Sequence, residues 1–169
     1  MNHEENTSSP NEQAILEASV EHCFQCADAF FGHTFLRASC NLKQRGKAAG
    51  TAHLQKNEVR FNAFMYRQSP EKFLSTVVPH EVAHIIVYQI YGSNVRPHGK
   101  EWQAVMRKVF GLSPDRTHDF DVPPPKTQFL YACQCQQHEF TARRHNKVMR
   151  GTEYRCKTCL QKLSFVNQI

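Results

Sequence analysis

The chain has 169 residues, which is enough for one ordinary domain and a small second one. Hydrophobic residues make up 40% of it and charged residues 21%, so the composition is that of a globular protein and excludes a fibrous or wholly disordered one. The net charge is +6, and residues 126–169 carry all of it, with eight lysines and arginines against two acids. This basic segment favours a polyanionic partner, with nucleic acid first.

No apolar run approaches the roughly 20 residues that a membrane span needs, so we expect no membrane partner. The first thirty residues contain several acids and lack the basic and apolar regions of a secretory signal. We therefore expect a cytoplasmic protein, and we expect it to be a monomer. In a reducing cytoplasm, the seven cysteines are expected to be thiols or metal ligands rather than disulfides.

Polar residues dominate the start of the chain, and we predict a disordered N-terminus over residues 1–11. A first domain is predicted over residues 12–122. Apolar residues recur at helical spacing from Leu16 to Phe30, which predicts a helix with one buried face. Cys23 lies on that face, so we interpret the CxxC that it forms with Cys26 as core packing. A helix offers such a pair neither the turn nor the second ligand pair of a zinc site.

The next segment contains three runs that are typical of strands. They cover Thr34–Cys40, Gly50–Gln55 and Glu58–Asn62, and a basic, turn-like loop at Lys43–Lys47 follows the first of them. The pattern predicts a small three-stranded sheet in which at least the last two strands form an antiparallel hairpin.

Two helices are predicted after this sheet. Ser69-Pro70-Glu71 is a helix-start signal, and the helix is expected to end at Gly92. Pro79 falls inside it and removes a backbone hydrogen bond, at a cost of about 3 kcal/mol unless the helix kinks or restarts there. The second helix begins near Lys100, carries apolar residues on one face, and ends at Gly111.

Residues 80–84 read His-Glu-Val-Ala-His, an HExxH motif on the first of these helices. Residues four apart lie on the same helix face, so His80 and His84 can bind one Zn²⁺. Glu81 then lies beside the ligands and can take a proton from an attacking water without being a ligand. Apolar neighbours such as Val82 predict a buried helix, where unpaired histidines would be costly. The motif therefore predicts a metal site in which Glu81 is catalytic.

A third ligand has to come from further along the chain. His98 follows His84 by 14 positions and lies between Pro97 and Gly99, in a tight loop just before the second helix. Glu101 is the alternative ligand. We prefer His98, and the fourth position on the metal is then open for water, as catalysis requires.

Pro123–Pro125 begins a proline-rich linker that we place at residues 123–127. The remaining residues, 128–169, are too few to fold on a hydrophobic core alone. Their cysteines have the spacing of a zinc ribbon, which implies a second, structural zinc. The predicted ligands of this zinc are Cys133, Cys135, Cys156 and Cys159. His138 could replace either Cys133 or Cys135.

A basic stretch lies between the two cysteine pairs, and its side chains could contact phosphates through largely sequence-independent interactions. The residues assigned this role are Arg143, Arg144, Lys147 and Arg150. The neighbouring aromatic residues Tyr131, Phe140 and Tyr154 are interpreted as packing residues rather than as platforms for bases. Similarly, His118 and Tyr66 are interpreted as structural residues rather than as donors to an oxyanion.

Four motifs, in this order and spacing, closely resemble those of the SprT-like family of zinc metalloproteases. They are Val78–His84, Pro97–Trp102, Arg143–Asn146 and Tyr154–Cys159, and the resemblance extends over nearly the whole chain from about residue 12. The family includes Spartan, a DNA-dependent metalloprotease that degrades proteins crosslinked to DNA. The resemblance implies a zincin-like fold with His80, His84 and His98 on zinc and Glu81 catalytic.

The sequence thus predicts an α+β protein. A zincin-like metalloprotease domain, made of helices and a small three-stranded sheet, precedes a small β zinc ribbon. The expected function is zinc-dependent hydrolysis of peptide bonds, with a protein substrate and with DNA-associated proteins as the candidate class. The alternative is a nucleic-acid-binding zinc protein whose HExxH site is structural or vestigial.

Overall fold

The computed structural model describes residues 10–117, 119–122 and 128–169, which form two compact units, Met1–Pro123 and Pro124–Ile169. Residues 1–9 of the predicted disordered N-terminus and the predicted linker, residues 123–127, lie outside the described residues. The described ranges contain helices and two three-stranded sheets, which confirms the predicted α+β class. None of the helices in these ranges is long and apolar enough to cross a membrane.

The described part of the first unit contains four α-helices, one sheet and a single turn of 3-10 helix at Leu54–Lys56. In chain order the α-helices and strands are α1 (Pro10–Phe31), β1 (Ser39–Asn41), β2 (Gly50–His53), β3 (Glu58–Phe61), α2 (Ala63–Gln68), α3 (Pro70–Tyr91) and α4 (Lys100–Lys108). Helix α1 packs against α3, and its predicted apolar face is buried from Leu16 to Ala27, whereas Phe30 at its end is exposed; Phe24, which was not predicted on this face, is fully buried too. Cys23 is buried in this core too, and burial raises the pKa of its thiol to about 12.

The sheet has the strand order β1-β3-β2. Strands β2 and β3 are antiparallel, as predicted, and β1 runs parallel to β3. The strand predicted to begin at Thr34 begins only at Ser39. The reason is that side chains satisfy the preceding backbone amides: Phe35 donates to Asp28 and Leu36 donates to Gln89. Strand β2 is at the sheet edge next to α3, and this position brings it to the functional site.

Helix α3 is a single element that runs through Pro79. The helix therefore does not restart at this proline. Pro79 is buried together with Val78 and Val82, so tertiary packing stabilises the helix despite the missing backbone hydrogen bond. The helix ends as predicted at Gly92, whose φ of +67° suits glycine and whose N–H donates to the Tyr88 carbonyl.

Tyr66 belongs to a cluster of aromatic rings in the core. Its ring packs edge-on against Phe73 with centroids 5.6 Å apart, and Phe73 also contacts Phe61 and Phe120. This packing agrees with a structural role for Tyr66. His118 lies outside the described residues.

The second unit is a small sheet with one helix. It contains β4 (Gln128–Ala132), β5 (Gln137–Thr141), α5 (Ala142–Met149) and β6 (Ser164–Gln168), and its strand order β5-β4-β6 is antiparallel throughout. The basic stretch between the cysteine pairs, for which the sequence predicted no helix, forms α5. Val148, partly buried, packs from α5 against a core that includes Tyr131 and Phe140, and this contact attaches the helix to the sheet.

Candidate metal centres

Helix α3 carries His80 and His84 one turn apart, and the loop between α3 and α4 brings His98 to them. The Nε2 atom of His98 lies 3.2 Å from the Nε2 atoms of both His80 and His84. All three side chains are half-buried. The structure thus brings together three histidines that are 18 residues apart at most in the chain.

The spacing of these nitrogens suits a zinc ion. Tetrahedral zinc with Zn–N bonds of about 2.0–2.1 Å holds its ligand atoms about 3.4 Å apart, close to the observed 3.2 Å. Glu101, the alternative third ligand, is not part of this cluster of potential ligand atoms. One of its carboxylate oxygens lies 3.9 Å from Lys100 Nζ instead. The arrangement therefore favours His98 as the third ligand.

Burial keeps His84 and His98 in the form that binds a metal. It lowers the pKa of His84 to about 3, with further contributions from His80 and His98. Burial also lowers the pKa of His98, helped by the positive charge of Arg116. Both imidazoles are consequently neutral at pH 7, and a neutral imidazole is the species that coordinates zinc.

Glu81 is buried beside the cluster but is not one of its members. Its carboxyl accepts a hydrogen bond from the backbone N–H of Ala52 on β2, and burial raises its pKa to about 7. Gly50, on the same strand, lies so close that a Cβ placed on it would be 2.6 Å from Glu81 Cγ. Strand β2 therefore fixes where the Glu81 side chain can lie.

The sequence interpretation missed this role of Gly50. A glycine inside a strand often marks the close approach of another group, and that signal was present in the Gly50–Gln55 run. The partner was not identifiable, because Gly50 and Glu81 lie on different elements 31 residues apart.

The four predicted ribbon ligands form the second cluster. All four sulfur atoms lie within 4.8 Å of one another; Cys135 Sγ is 3.4 Å from Cys133 Sγ and 3.6 Å from Cys156 Sγ. Zinc with four Zn–S bonds of about 2.3 Å holds its sulfurs about 3.8 Å apart, so this cluster also suits zinc. Backbone N–H groups of Cys159 and Thr158 lower the pKa of Cys156 to about 5, which favours the thiolate.

His138 lies beside the cysteine cluster. Its Nε2 atom is 3.5 Å from Cys133 Sγ, and this hydrogen bond raises the pKa of His138. The structure therefore groups the four cysteines, which were the first choice from the sequence, and places His138 beside Cys133 and Cys156 as a neighbour of the cluster.

The predicted nucleic-acid contacts occupy α5 and the residue that caps it. All four side chains are exposed: Arg143, Arg144, Lys147 and Arg150. The Arg144 guanidinium stacks over Phe140, 4.0 Å from the ring centroid, and lies 5.0 Å from the Tyr154 centroid. Tyr131 and Phe140 are buried, which agrees with their interpretation as packing residues.

A pocket of about 350 Å³ lies on the ribbon next to α5. Three cationic side chains and no carboxylate line it, together with a histidine, an amide and a leucine: Arg144, Arg155, Lys157, His138, Gln136 and Leu163. The sequence interpretation missed Arg155 and Lys157, although they flank the predicted ligand Cys156. The pocket has the charge that a phosphate group requires.

Comparison with known proteins identifies relatives of both units. Residues 20–118 match the SprT-like family, and residues 127–167 match the SprT-like zinc ribbon domain. A protein named Protein SprT from Pseudomonas paraeruginosa strain PA7 is 44% identical over 158 residues, which cover 91% of this chain and 96% of that protein. Protein SprT from Shewanella oneidensis strain MR-1 is 47% identical over 150 residues, covering 88% and 95% respectively. No solved structure matches the chain.

Proposed function

Because the chain belongs to the SprT-like family, we propose that it is a zinc-dependent metallopeptidase whose catalytic residue is Glu81. One observation carries the proposal: ligand nitrogens of three histidines lie within 4.8 Å of one another, and the residue after the first of them, Glu81, has a buried carboxyl that is not part of the cluster. Zinc in the second unit, on Cys133, Cys135, Cys156 and Cys159, would have a structural role.

The chemistry divides between the metal and this chain's own residues. Zinc held by His80, His84 and His98 supplies a Lewis acid that polarises the peptide carbonyl and acidifies water. Glu81 accepts the proton of the attacking water and returns it to the leaving amine. The Ala52 N–H orients the carboxyl for this transfer, and a pKa of about 7 lets the group take up and release a proton near neutral pH.

The alternative, a nucleic-acid-binding protein with a structural HExxH site, does not account for Glu81. Burial of a carboxyl is unfavourable, and a purely structural zinc site needs no carboxyl beside its ligands. Two residues of β2 moreover position the Glu81 side chain. The Ala52 N–H donates a hydrogen bond to its carboxyl, and Gly50 packs directly against it because glycine has no Cβ. Such positioning favours a catalytic role over a vestigial one.

Glu81→Gln tests this assignment. The variant should keep zinc at both sites and lose hydrolysis of unfolded, fluorescein-labelled casein by about 10²–10⁴-fold, because it removes the base and no ligand. Glu101→Gln is the matched control, since it makes the same chemical change at the alternative ligand and should leave both zinc content and turnover unchanged. Wild-type turnover in Glu81→Gln would remove Glu81 from the mechanism.

We further propose that the ribbon binds nucleic acid, which would direct the peptidase to DNA-associated proteins. The supporting observation is the cationic pocket: Arg144, Arg155 and Lys157 line it, and no carboxylate is among its lining residues, although Arg155 also lies 4.0 Å from Glu153. Arg144 is held over Phe140, so it can present its guanidinium to a phosphate with little loss of side-chain entropy.

Two double variants with the same change in charge test the ribbon proposal. The pocket variant combines Arg155→Ala with Lys157→Ala and removes two cations from the pocket. The α5 variant combines Arg143→Ala with Lys147→Ala and removes two cations from α5 that do not line the pocket. The association constant for a labelled single-stranded oligonucleotide is measured at several salt concentrations. In the pocket variant, the slope of its logarithm against the logarithm of the salt concentration should be shallower by about 1.4, which corresponds to about 0.7 for each of two lost phosphate contacts. The α5 variant should lose less. If the zinc-loaded wild type binds no DNA at low salt, a peptidase without a nucleic-acid partner remains.

A further inference from the structure

Trp102 is the chain's single tryptophan, and it is fully buried on the first turns of α4. It does not carry a group that could ligate zinc or transfer a proton in the proposed reaction. Its indole nevertheless contacts the rings of all three histidines of the first cluster. No other aromatic ring in the described part of the chain has this set of contacts.

The three contacts differ in geometry. The indole centroid is 4.7 Å from the His80 ring and 4.7 Å from the His98 ring, and both contacts are edge-to-face, at 63° and 89°. The His84 ring stacks on it at 5.4 Å and 23°. A single rigid side chain therefore limits the tilt of all three imidazoles, which cannot rotate towards it without overlap.

Hydrogen bonds tie the start of α4, which carries Trp102, to both segments that carry the histidines. The indole Nε1–H donates to the His80 carbonyl at 3.3 Å, which ties α4 to the ligand-bearing turn of α3. The next residue, Gln103, donates its side-chain amide to the His98 carbonyl at 3.2 Å. The start of α4 thus holds the backbone at the first and the last of the three ligands.

Such support matters most before a metal is bound. The Nε2 atom of His98 lies 3.2 Å from the Nε2 atoms of both His80 and His84. Nitrogens that all turn lone pairs towards a metal site at such distances repel one another unless a cation lies between them. Exposed histidines would relieve this repulsion by rotating apart. Rings packed against a buried indole cannot rotate in this way. The conformational entropy of the ligands is therefore lost during folding rather than at metal binding.

We propose that Trp102 is a positioning residue that holds His80, His84 and His98 in their metal-binding arrangement before the metal arrives. The inference rests on the proposed zinc site but not on peptide hydrolysis. Groups that orient metal ligands from outside the coordination sphere typically contribute 10–100-fold to metal affinity. Trp102→Phe should weaken zinc binding at the histidines by this factor, because the smaller ring leaves space behind the imidazoles and cannot donate to the His80 carbonyl.

The measurement is competition with a chelator, which reports zinc affinity without any enzyme assay. Phe73→Leu is the matched control, since Phe73 is a fully buried aromatic residue of the same core that contacts Phe61, Tyr66 and Phe120 rather than the histidines. Urea unfolding of both variants gives their loss of stability. Trp102→Phe should lose zinc affinity well beyond what Phe73→Leu loses at a comparable loss of stability, and the ribbon zinc should stay in both.

A second measurement leaves the wild-type fold intact. Because the chain has one tryptophan, incorporation of 5-fluorotryptophan labels position 102 alone. The protein without zinc at the histidines should give one narrow ¹⁹F resonance, which shifts when zinc is added. Several or broad resonances that sharpen only with zinc would overturn the proposal, because the metal would then order the indole.

The outcomes separate the inference from the assignment of the site. If wild type binds zinc at both clusters and Trp102→Phe matches Phe73→Leu in affinity, only the inference fails. If wild type takes up zinc at the ribbon alone, the zinc site and the inference fail together.

Discussion

Gly50→Ala should damage catalysis without removing a ligand. A Cβ at position 50 would lie 2.6 Å from Glu81 Cγ and 2.9 Å from Glu81 Oε1, whereas ordinary contacts begin at about 3.4 Å. The backbone of Gly50 does not have the positive φ that only glycine tolerates, so alanine can be accommodated there except for this overlap. The Glu81 side chain is buried and has to move by about 0.8 Å or more.

A displacement of this size has a known scale of effect. Misplacement of a reacting group by about 1 Å costs on the order of 100-fold in rate, equivalent to about 2.7 kcal/mol of transition-state stabilisation. We therefore expect kcat on labelled casein to fall by about 100-fold in Gly50→Ala, with KM little changed. Zinc content should stay at the wild-type level, because the three atoms nearest to the new methyl group all belong to Glu81 and none to a ligand.

Thr51→Ala is the control for general damage to β2. Successive side chains of a strand point to opposite faces, so this change lies on the face away from Glu81, where the Thr51 hydroxyl donates to Gln44. It should retain near wild-type kcat. Equal turnover in Gly50→Ala and wild type would refute the reasoning, since it would show that hydrolysis tolerates a displaced Glu81; loss of zinc in Gly50→Ala would refute the separation of base from ligands.

Two further predictions concern the metal count and the pH dependence of stability. His98→Ala should lose the zinc of the histidine cluster and keep that of the cysteine cluster, as metal analysis would show; retention of both metals would move the third ligand to Glu101. Burial raises the folded-state pKa of Glu81 from 4.5 to about 7, so the folded state binds more protons than the unfolded state between these values and loses stability as pH rises through them. The test is urea unfolding of wild type and Glu81→Gln between about pH 5 and 7, with the metal of the histidine site removed. The free energy of unfolding of wild type should fall relative to that of the variant as pH rises, by at most about 1.4 kcal/mol per pH unit. A difference that does not change with pH would contradict the raised pKa.

The parts of the site that the sequence predicts are those fixed by local geometry. His80 and His84 share a helix face because residues four apart always do, and the HExxH motif places Glu81 with them. The paired cysteines of the ribbon are similarly close to each other in the chain. These spacings need no knowledge of the fold, so the candidate ligands could be identified from the sequence.

The parts that could not be predicted depend on contacts between distant segments. The overlap between Gly50 and Glu81 exists only because β2 packs on α3, and the parallel pairing of β1 with β3 depends on how the chain returns to the sheet. Helix α5 was missed for a different reason. Its sequence is mostly basic, and it packs on the small core through Val148 and through the His145 ring, which stacks on Phe129 with centroids 3.7 Å apart. The apolar periodicity that predicts helices is therefore nearly absent.

The order of the two clusters along the chain has a consequence for synthesis. His98 completes the first cluster 35 residues before Cys133 begins the second, and each cluster lies within its own compact unit. At about 5–20 residues per second, a ribosome adds Cys133 roughly 2–7 seconds after His98. The imidazole cluster can therefore form while no ribbon thiolate of the same nascent chain competes for zinc, and the order of translation gives the weaker ligand set the first access to the metal.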